Sequence, residues 1–216
     1  DLRSPMGSIK MVLNMLILNL PSEKIGDEMY ELLTMANQTT EDVFSLLDNL
    51  LKWTKSQIGK LNVVYQDIDV VEVVDGVIDI FNMVAGMKKI TIREEKPEKL
   101  AVSADIDMLK TVVRNLISNA IKFSNDNSSI NIETTVKNGK VFVSVKDHGV
   151  GIPKDSLSKV WDRFYKTDTS RGKDRKGTGL GLSIVKEIIK AHNQNINVIS
   201  TEGVGTEFIF TLKKAK

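Results

Sequence analysis

The chain has no cysteine and only two histidines, His148 and His192. The first absence removes disulfide frameworks and thiolate metal sites, and is compatible with a reducing compartment. An excess of one charge is missing too: 30 basic against 28 acidic side chains leave +2 over 216 residues. That balance gives no general electrostatic reason to bind nucleic acid. Long apolar runs are also lacking. The most apolar stretch, MVLNMLILNL at 11–20, is too short to span a bilayer and holds two asparagines, so it reads as packed helix. No signal-peptide pattern, internal repeat or low-complexity tract stands out. Any membrane attachment is therefore expected from segments outside this chain. What is there, 41% hydrophobic and 27% charged residues, suits a globular protein with an adequate core.

The apolar pattern changes period along the chain. Met6, Ile9, Leu13, Leu16 and Leu20 alternate spacings of three and four, a helical seam that Pro21-Ser22 stops. Val43, Leu46, Leu47, Leu50 and Leu51 repeat at i, i+3, i+4, i+7 and i+8, with Gly59 as the stop. Two such helices form an antiparallel hairpin that cannot bury both its faces alone. Dimerisation into a four-helix bundle covers them; docking on the rest of the chain is the alternative. From about residue 62 helices and strands mix. Helices are expected at 70–84, 106–124 and 180–192, and strands at 90–95, 101–105, 196–201 and 207–213. SINIETTV and VFVSVKD flank Asn138-Gly139 as a tight hairpin. The expected fold class is α+β: a helical hairpin over 1–61, then an α/β sandwich over 62–216.

Three segments carry chemistry. On helix 106–124, Asn115, Asn119 and Lys122 line up beside the apolar face. Asparagine is a weak helix former. Amide oxygens can ligate a hard cation such as Mg²⁺ and a lysine can meet phosphate; a solvated polar stripe is the alternative. DHGVGIP, 147–153, ends a strand with a carboxylate that can accept from an exocyclic amine, beside glycines that let a flat ligand approach. Taken alone, it reads more simply as a strand closing in a glycine turn. GTGLGLS, 177–183, enters a helix, and free N–H groups at a helix start suit phosphate. It fits neither the dinucleotide fingerprint nor the P-loop. Between these two, residues 159–176 hold seven Lys/Arg and three Asp. This is a lid over an anion or a disordered surface loop, with Trp161, Phe164 and Tyr165 as apolar anchors. Gly203, Gly205 and Thr206 read as a hairpin turn, with a nucleotide contact added to it.

In order, these segments resemble the core of bacterial sensor histidine kinases. RNLISNAIKFS is similar to that family's asparagine box, DHGVGIP and GTGLGLSIVK to its two glycine boxes, VWDRFYK to its phenylalanine box, and EGVGTEF to its short terminal box. The opening DLRSPM resembles the stretch after the phosphoacceptor histidine, and LLDNLLKWTKSQIGKL the close of the second dimerisation helix. The resemblance implies an ATP-binding sandwich of the gyrase and heat-shock-chaperone type on a dimeric bundle. It implies Mg-ATP as cofactor, a homodimer, a response-regulator receiver domain as partner, and the cytoplasmic portion of a membrane-bound sensor.

Roles follow by position. Asn119 would ligate Mg²⁺, with Asn115 in support and Lys122 and Phe123 beside the nucleotide. Asp147 would accept from the adenine amine, with Gly149, Gly151 and Ile152 shaping its pocket. Arg163 would stabilise charge on the transferring phosphoryl group, and Lys166 and Arg171 would bind ATP. Gly177, Thr178, Gly179, Leu180 and Gly181 would close over the phosphates, and Thr206 would contact the nucleotide. Asp1 would orient or deprotonate the acceptor imidazole. Ser4 sits at a position tied to dephosphorylating the partner. The acceptor would immediately precede Asp1, and neither His148 nor His192 stands there. This chain is thus expected to bind ATP without autophosphorylating at that place. Asn193-Gln194 replaces the family's usual glycine pair. A non-catalytic nucleotide-binding dimerisation module and a gyrase-like ATPase are the rival readings.

Overall fold

The computed structural model describes residues 62–167 and 179–215 throughout, and before them Ile9, residues 11–17, Leu20, Gly26, Met29, Tyr30, Leu33, Ala36 and Thr40. The chain divides into two compact units, one holding Asp1–Ile58 and the other most of Gly59–Lys216.

In the first unit residues 11–17 are helical, and the Tyr30 amide donates to the Gly26 carbonyl at 3.1 Å. Ile9, Met11, Val12 and Met15 are each about half exposed, a wider apolar face than the Ile9, Leu13 and Leu16 seam. The stripe at 43–51 lies outside the described residues.

The second unit builds a mixed sheet with helices against it. Its elements are β1 (Gln66–Asp69), α1 (Val70–Met87), β2 (Thr91–Glu95), β3 (Ala101–Ala104), α2 (Ile106–Phe123), β4 (Ser129–Lys137), β5 (Lys140–Asp147), a 3-10 turn (Lys154–Ser156), α3 (Gly181–Ala191), β6 (Ile196–Thr201) and β7 (Gly205–Lys214). Strand order is β1-β3-β7-β5-β4-β2, with β6 also paired to β7. Among the described strands only the β2–β4 pair is parallel. β4 and β5 turn at Asn138 (φ 52°) and Gly139 (φ 72°), both in the left-handed region that a two-residue hairpin needs.

Alternation shows which face is covered. Val141, Val143 and Val145 on β5 and Phe208, Phe210 and Leu212 on β7 are buried in one core with the apolar stripes of the helices. On the other face Ser144, between Val143 and Val145, donates to Glu207, just before Phe208, at 2.6 Å. α2 touches both α1 and α3 and packs on β5. Asp69 caps α1 by accepting from the Val71 amide at 3.0 Å, and Asp105 caps α2 by accepting from Asp107 and Met108 at 3.1 and 3.0 Å. The other oxygen of Asp105 accepts from the Val64 amide at 3.1 Å. His192 closes this corner. Its Nε2 accepts from the Asp105 amide at 3.0 Å, and its Nδ1, 2.8 Å from the Ile188 carbonyl, must then carry the proton.

Candidate functional site

The C-terminal half of α2, the end of β5 and the β6–β7 turn meet at one place. α2 buries Leu109, Val112, Val113, Leu116 and Ile117, which fixes its rotation and leaves Asn115, Asn119 and Lys122 half-buried along the edge of that face. The Asn115 amide donates to the Thr111 carbonyl at 2.8 Å. Asn119 makes no side-chain hydrogen bond to the described residues. Lys122 lies 5.6 Å from the Phe123 ring centroid.

Asp147 ends β5 and is buried. Its Oδ1 accepts from the Gly149 amide at 2.9 Å and from the Thr206 amide at 3.2 Å. Both bonds fall on one oxygen, which leaves Oδ2 to accept from a ligand amine. Burial pushes the Asp147 carboxyl above its ordinary range, while the Gly149 and Thr206 bonds and neighbouring His148 pull it down.

At its two glycines the loop after Asp147 has no room for a side chain. A Cβ on Gly149 would sit 2.2 Å from the Phe123 carbonyl oxygen and 2.9 Å from Asp147 Oδ1. Ser124 pairs with Gly149 as an isolated bridge, and Ser124 Oγ, beside it, is buried without a partner among the described residues. Gly151 lies against the Thr201 carbonyl, and the half-buried Ile152 donates its amide to Ser200 Oγ at 2.8 Å. Ser200 Oγ in turn donates to the Gly205 carbonyl and lies 2.8 Å from Thr206 Oγ1. A chain of bonds therefore runs Asp147–Thr206–Ser200–Ile152 and locks the loop to the hairpin.

Other sequence candidates flank residues 168–178 on either side. Gly179 packs on the backbone of Phe164, whose amide donates to the Gly179 carbonyl at 3.0 Å. Phe164 itself has φ 61° and is exposed. Leu180 is buried at the start of α3, and Gly181 lies against Asn115 Oδ1. Arg163 is exposed and Lys166 half-buried. Asp1, Ser4, Arg171, Gly177 and Thr178 lie outside the described residues.

Sequence reasoning missed Ser200, Ser124 and the second duty of Gly205. A Cβ on Gly205 would sit 2.1 Å from the Asp147 carbonyl oxygen, so this glycine supports the carboxylate as well as the turn. Ser200 could have been found as a polar residue flanking EGVGTEF. Ser124 gives no such signal.

The fit to Mg²⁺ rests on oxygen chemistry. Among the described residues no three His, Cys, Asp or Glu side chains gather, whereas the Asn119 amide oxygen is the donor type that binds Mg²⁺ together with substrate phosphates. No described helix is long and apolar enough to cross a membrane.

Comparison with known proteins identifies the family and the fold. Residues 104–216 match the family of histidine kinase-, DNA gyrase B-, and HSP90-like ATPases. The sensor histidine kinase WalK of Bacillus subtilis strain 168 is 34% identical over 214 residues, 98% of this chain and 35% of WalK. The chain thus spans about a third of the length of that relative. Among solved structures, the catalytic domain of histidine kinase ThkA is 32% identical, with a TM-score of 0.62 over 70% of this chain and 96% of that one. Full-length ShkA in complex with AMPPNP shares the fold at a TM-score of 0.81 and 23% identity, over 99% of this chain and 44% of that one. The chain belongs to the histidine kinase-, DNA gyrase B- and HSP90-like ATPases, as the catalytic, ATP-binding core of a sensor histidine kinase.

Proposed function

We propose that this core binds Mg-ATP, directs the γ-phosphoryl group to a histidine within a homodimer, and passes it to an aspartate on a response-regulator receiver domain. The observation that carries the ATP step is Asp147: a buried carboxylate with both backbone bonds on Oδ1, so that Oδ2 accepts from the adenine amine. Gly149, Gly151 and Ile152 bring backbone close to the purine, and Thr206 fixes the carboxylate. Asn119, its amide without a partner among the described residues, holds Mg²⁺ with Asn115 behind it; the ion would screen the phosphate charges when bound. Lys122 and Phe123 flank the nucleotide. Gly177, Thr178, Gly179, Leu180 and Gly181, with Lys166 and Arg171, close over the phosphates. Arg163 stabilises charge on the transferring group. Asp1 orients or deprotonates the acceptor imidazole, and Ser4 stands at the position tied to dephosphorylating the partner.

The dimer reading is supported by the half-exposed Ile9, Met11, Val12 and Met15, an apolar face that a second copy would cover. The chain is read as a cytoplasmic portion, its labour divided between a bundle over 1–61 and an ATP domain over 62–216.

The test gives the chain an N-terminal extension that places a histidine immediately before Asp1, then follows label from γ-labelled ATP with Mg²⁺. Acid-labile label that vanishes with Asn119→Ala is the expected result. ATP binding without label would favour a non-catalytic nucleotide-binding module instead.

A further inference from the structure

The end of α2 poses an accounting question, because the last four carbonyls of a helix have no partner within it. Here all four are satisfied, and by three different sources. The Ala120 carbonyl accepts from the Ser124 amide at 3.0 Å and the Phe123 carbonyl from the Val150 amide at 3.2 Å. Ile121 and Lys122 are satisfied from another helix: Lys88 Nζ donates to their carbonyls at 2.9 and 3.1 Å. Its third donor goes to the Ser124 carbonyl at 3.2 Å. An ammonium has three donors, and all three are spent on this turn.

Lys88 is itself held at both ends. It is half-buried at the C-cap of α1, where its amide donates to the Ala85 carbonyl at 3.1 Å. Its own carbonyl accepts from the Asn127 amide at 3.0 Å, just beyond α2. The cation is therefore delivered to the negative end of the α2 dipole from a fixed base. That end bears Asn119, Lys122 and Phe123, and it abuts Gly149 and Val150 through the Phe123 carbonyl.

We infer that Lys88 is a positioning residue for nucleotide binding: its ammonium holds the last turn of α2, and through it the 149–152 loop, in the form the ATP pocket needs. This rests on the ATP-binding reading above. Lys88 touches no nucleotide in that reading; it acts through the carbonyls at 121, 122 and 124. Without it two helix-terminal carbonyls lose their donor, and the turn frays toward Asn119.

The experiment compares wild type, Lys88→Met and Lys88→Arg in the full chain. ATP affinity is measured by titration with Mg²⁺ at a temperature where circular dichroism shows each variant folded. Amide exchange at Val150 and Ser124 is followed without nucleotide. Lys88→Met should bind ATP about tenfold more weakly, roughly 1.4 kcal/mol, and expose both amides to faster exchange. Lys88→Arg, which keeps a cation with several donors, should recover most of the affinity. Wild-type affinity in folded Lys88→Met would overturn the inference and leave Lys88 a purely structural cap. Absence of ATP binding in the wild type would remove the ATP reading, and this inference with it. If Lys88→Met does not fold, Lys88→Gln decides: affinity between wild type and threefold weaker, with unchanged exchange, counts against the role.

Discussion

At Asp147 two demands pull in opposite directions. Burial disfavours the charged carboxylate, yet only the charged form offers Oδ2 as an unambiguous acceptor. The Gly149 and Thr206 amides offset part of that cost by donating to Oδ1. Because burial raises the folded carboxyl above its ordinary value of 3.8, the native state holds this proton more tightly than the unfolded chain does. The resulting stabilisation is full below 3.8 and is lost as pH rises through the raised value. Asp147→Asn removes the charge while its amide oxygen can still take both backbone bonds. We therefore expect Asp147→Asn to unfold at an equal or higher temperature than wild type at neutral pH, with the difference shrinking as pH falls toward 3.8. If Asp147 takes the adenine amine as proposed, the same variant sets an NH₂ against it, donor against donor. It should bind ATP about a hundredfold more weakly, ~3 kcal/mol. A titration and a melt on one sample check both halves; unchanged affinity would move the adenine contact elsewhere.

The β6–β7 hairpin shows where sequence reading stops. Most elements are legible because their patterns are strong. α2 has an aspartate cap and an apolar stripe, and the β4–β5 hairpin is written in alternation and Asn138-Gly139. β1, with sequence QDID, escapes detection. It is a four-residue edge strand with its first two residues exposed, so it has no alternating face to read. Lys88 is equally silent, since a lysine after a helix looks like any surface cation until its partners across α2 are known. In the hairpin, Gly203 and Gly205 read alike as turn residues, and the structure separates them. Gly203 has φ 76° with open space around it, whereas Gly205 has φ 142° and lies where a Cβ would meet the Asp147 carbonyl at 2.1 Å. Gly203→Ala should therefore cost only the left-handed backbone strain, about 1–2 kcal/mol, and leave ATP affinity within a few fold. Gly205→Ala must displace β7 from the end of β5 and so disturb the Thr206 bond to Asp147. We expect a loss of about 3 kcal/mol in stability and at least a tenfold loss of ATP affinity in the folded fraction. Denaturant melts with parallel titrations distinguish the two, and equal behaviour would deny Gly205 its second duty.

Across the whole molecule, the residues that meet at the site come from every part of 115–206. They are α2, the end of β5, the loop after it, the start of α3 and the β6–β7 turn. A ligand that engages them together binds the folded unit and not the unfolded chain, so it must stabilise that unit by mass action. The two tryptophans allow this to be read in the intact chain. Trp53 falls in the unit of Asp1–Ile58 and Trp161 in the other. Trp161 packs edge-on against Phe208 of β7, with centroids 5.8 Å apart and planes at 81°, so unfolding of the sheet strips its packing. In Trp53→Phe the remaining fluorescence reports the ATP-binding unit alone. ATP with Mg²⁺ at one hundred times Kd should add about 2.7 kcal/mol, which for a unit of this size raises its midpoint by ~5–10 °C. ATP at the same concentration should leave the midpoint of Trp53→Phe/Asn119→Ala nearly unmoved if Asn119 carries Mg²⁺. A shift of equal size in both would show that the nucleotide is held without Asn119, and would break the proposed division between an adenine pocket at Asp147 and a phosphate–metal end on α2.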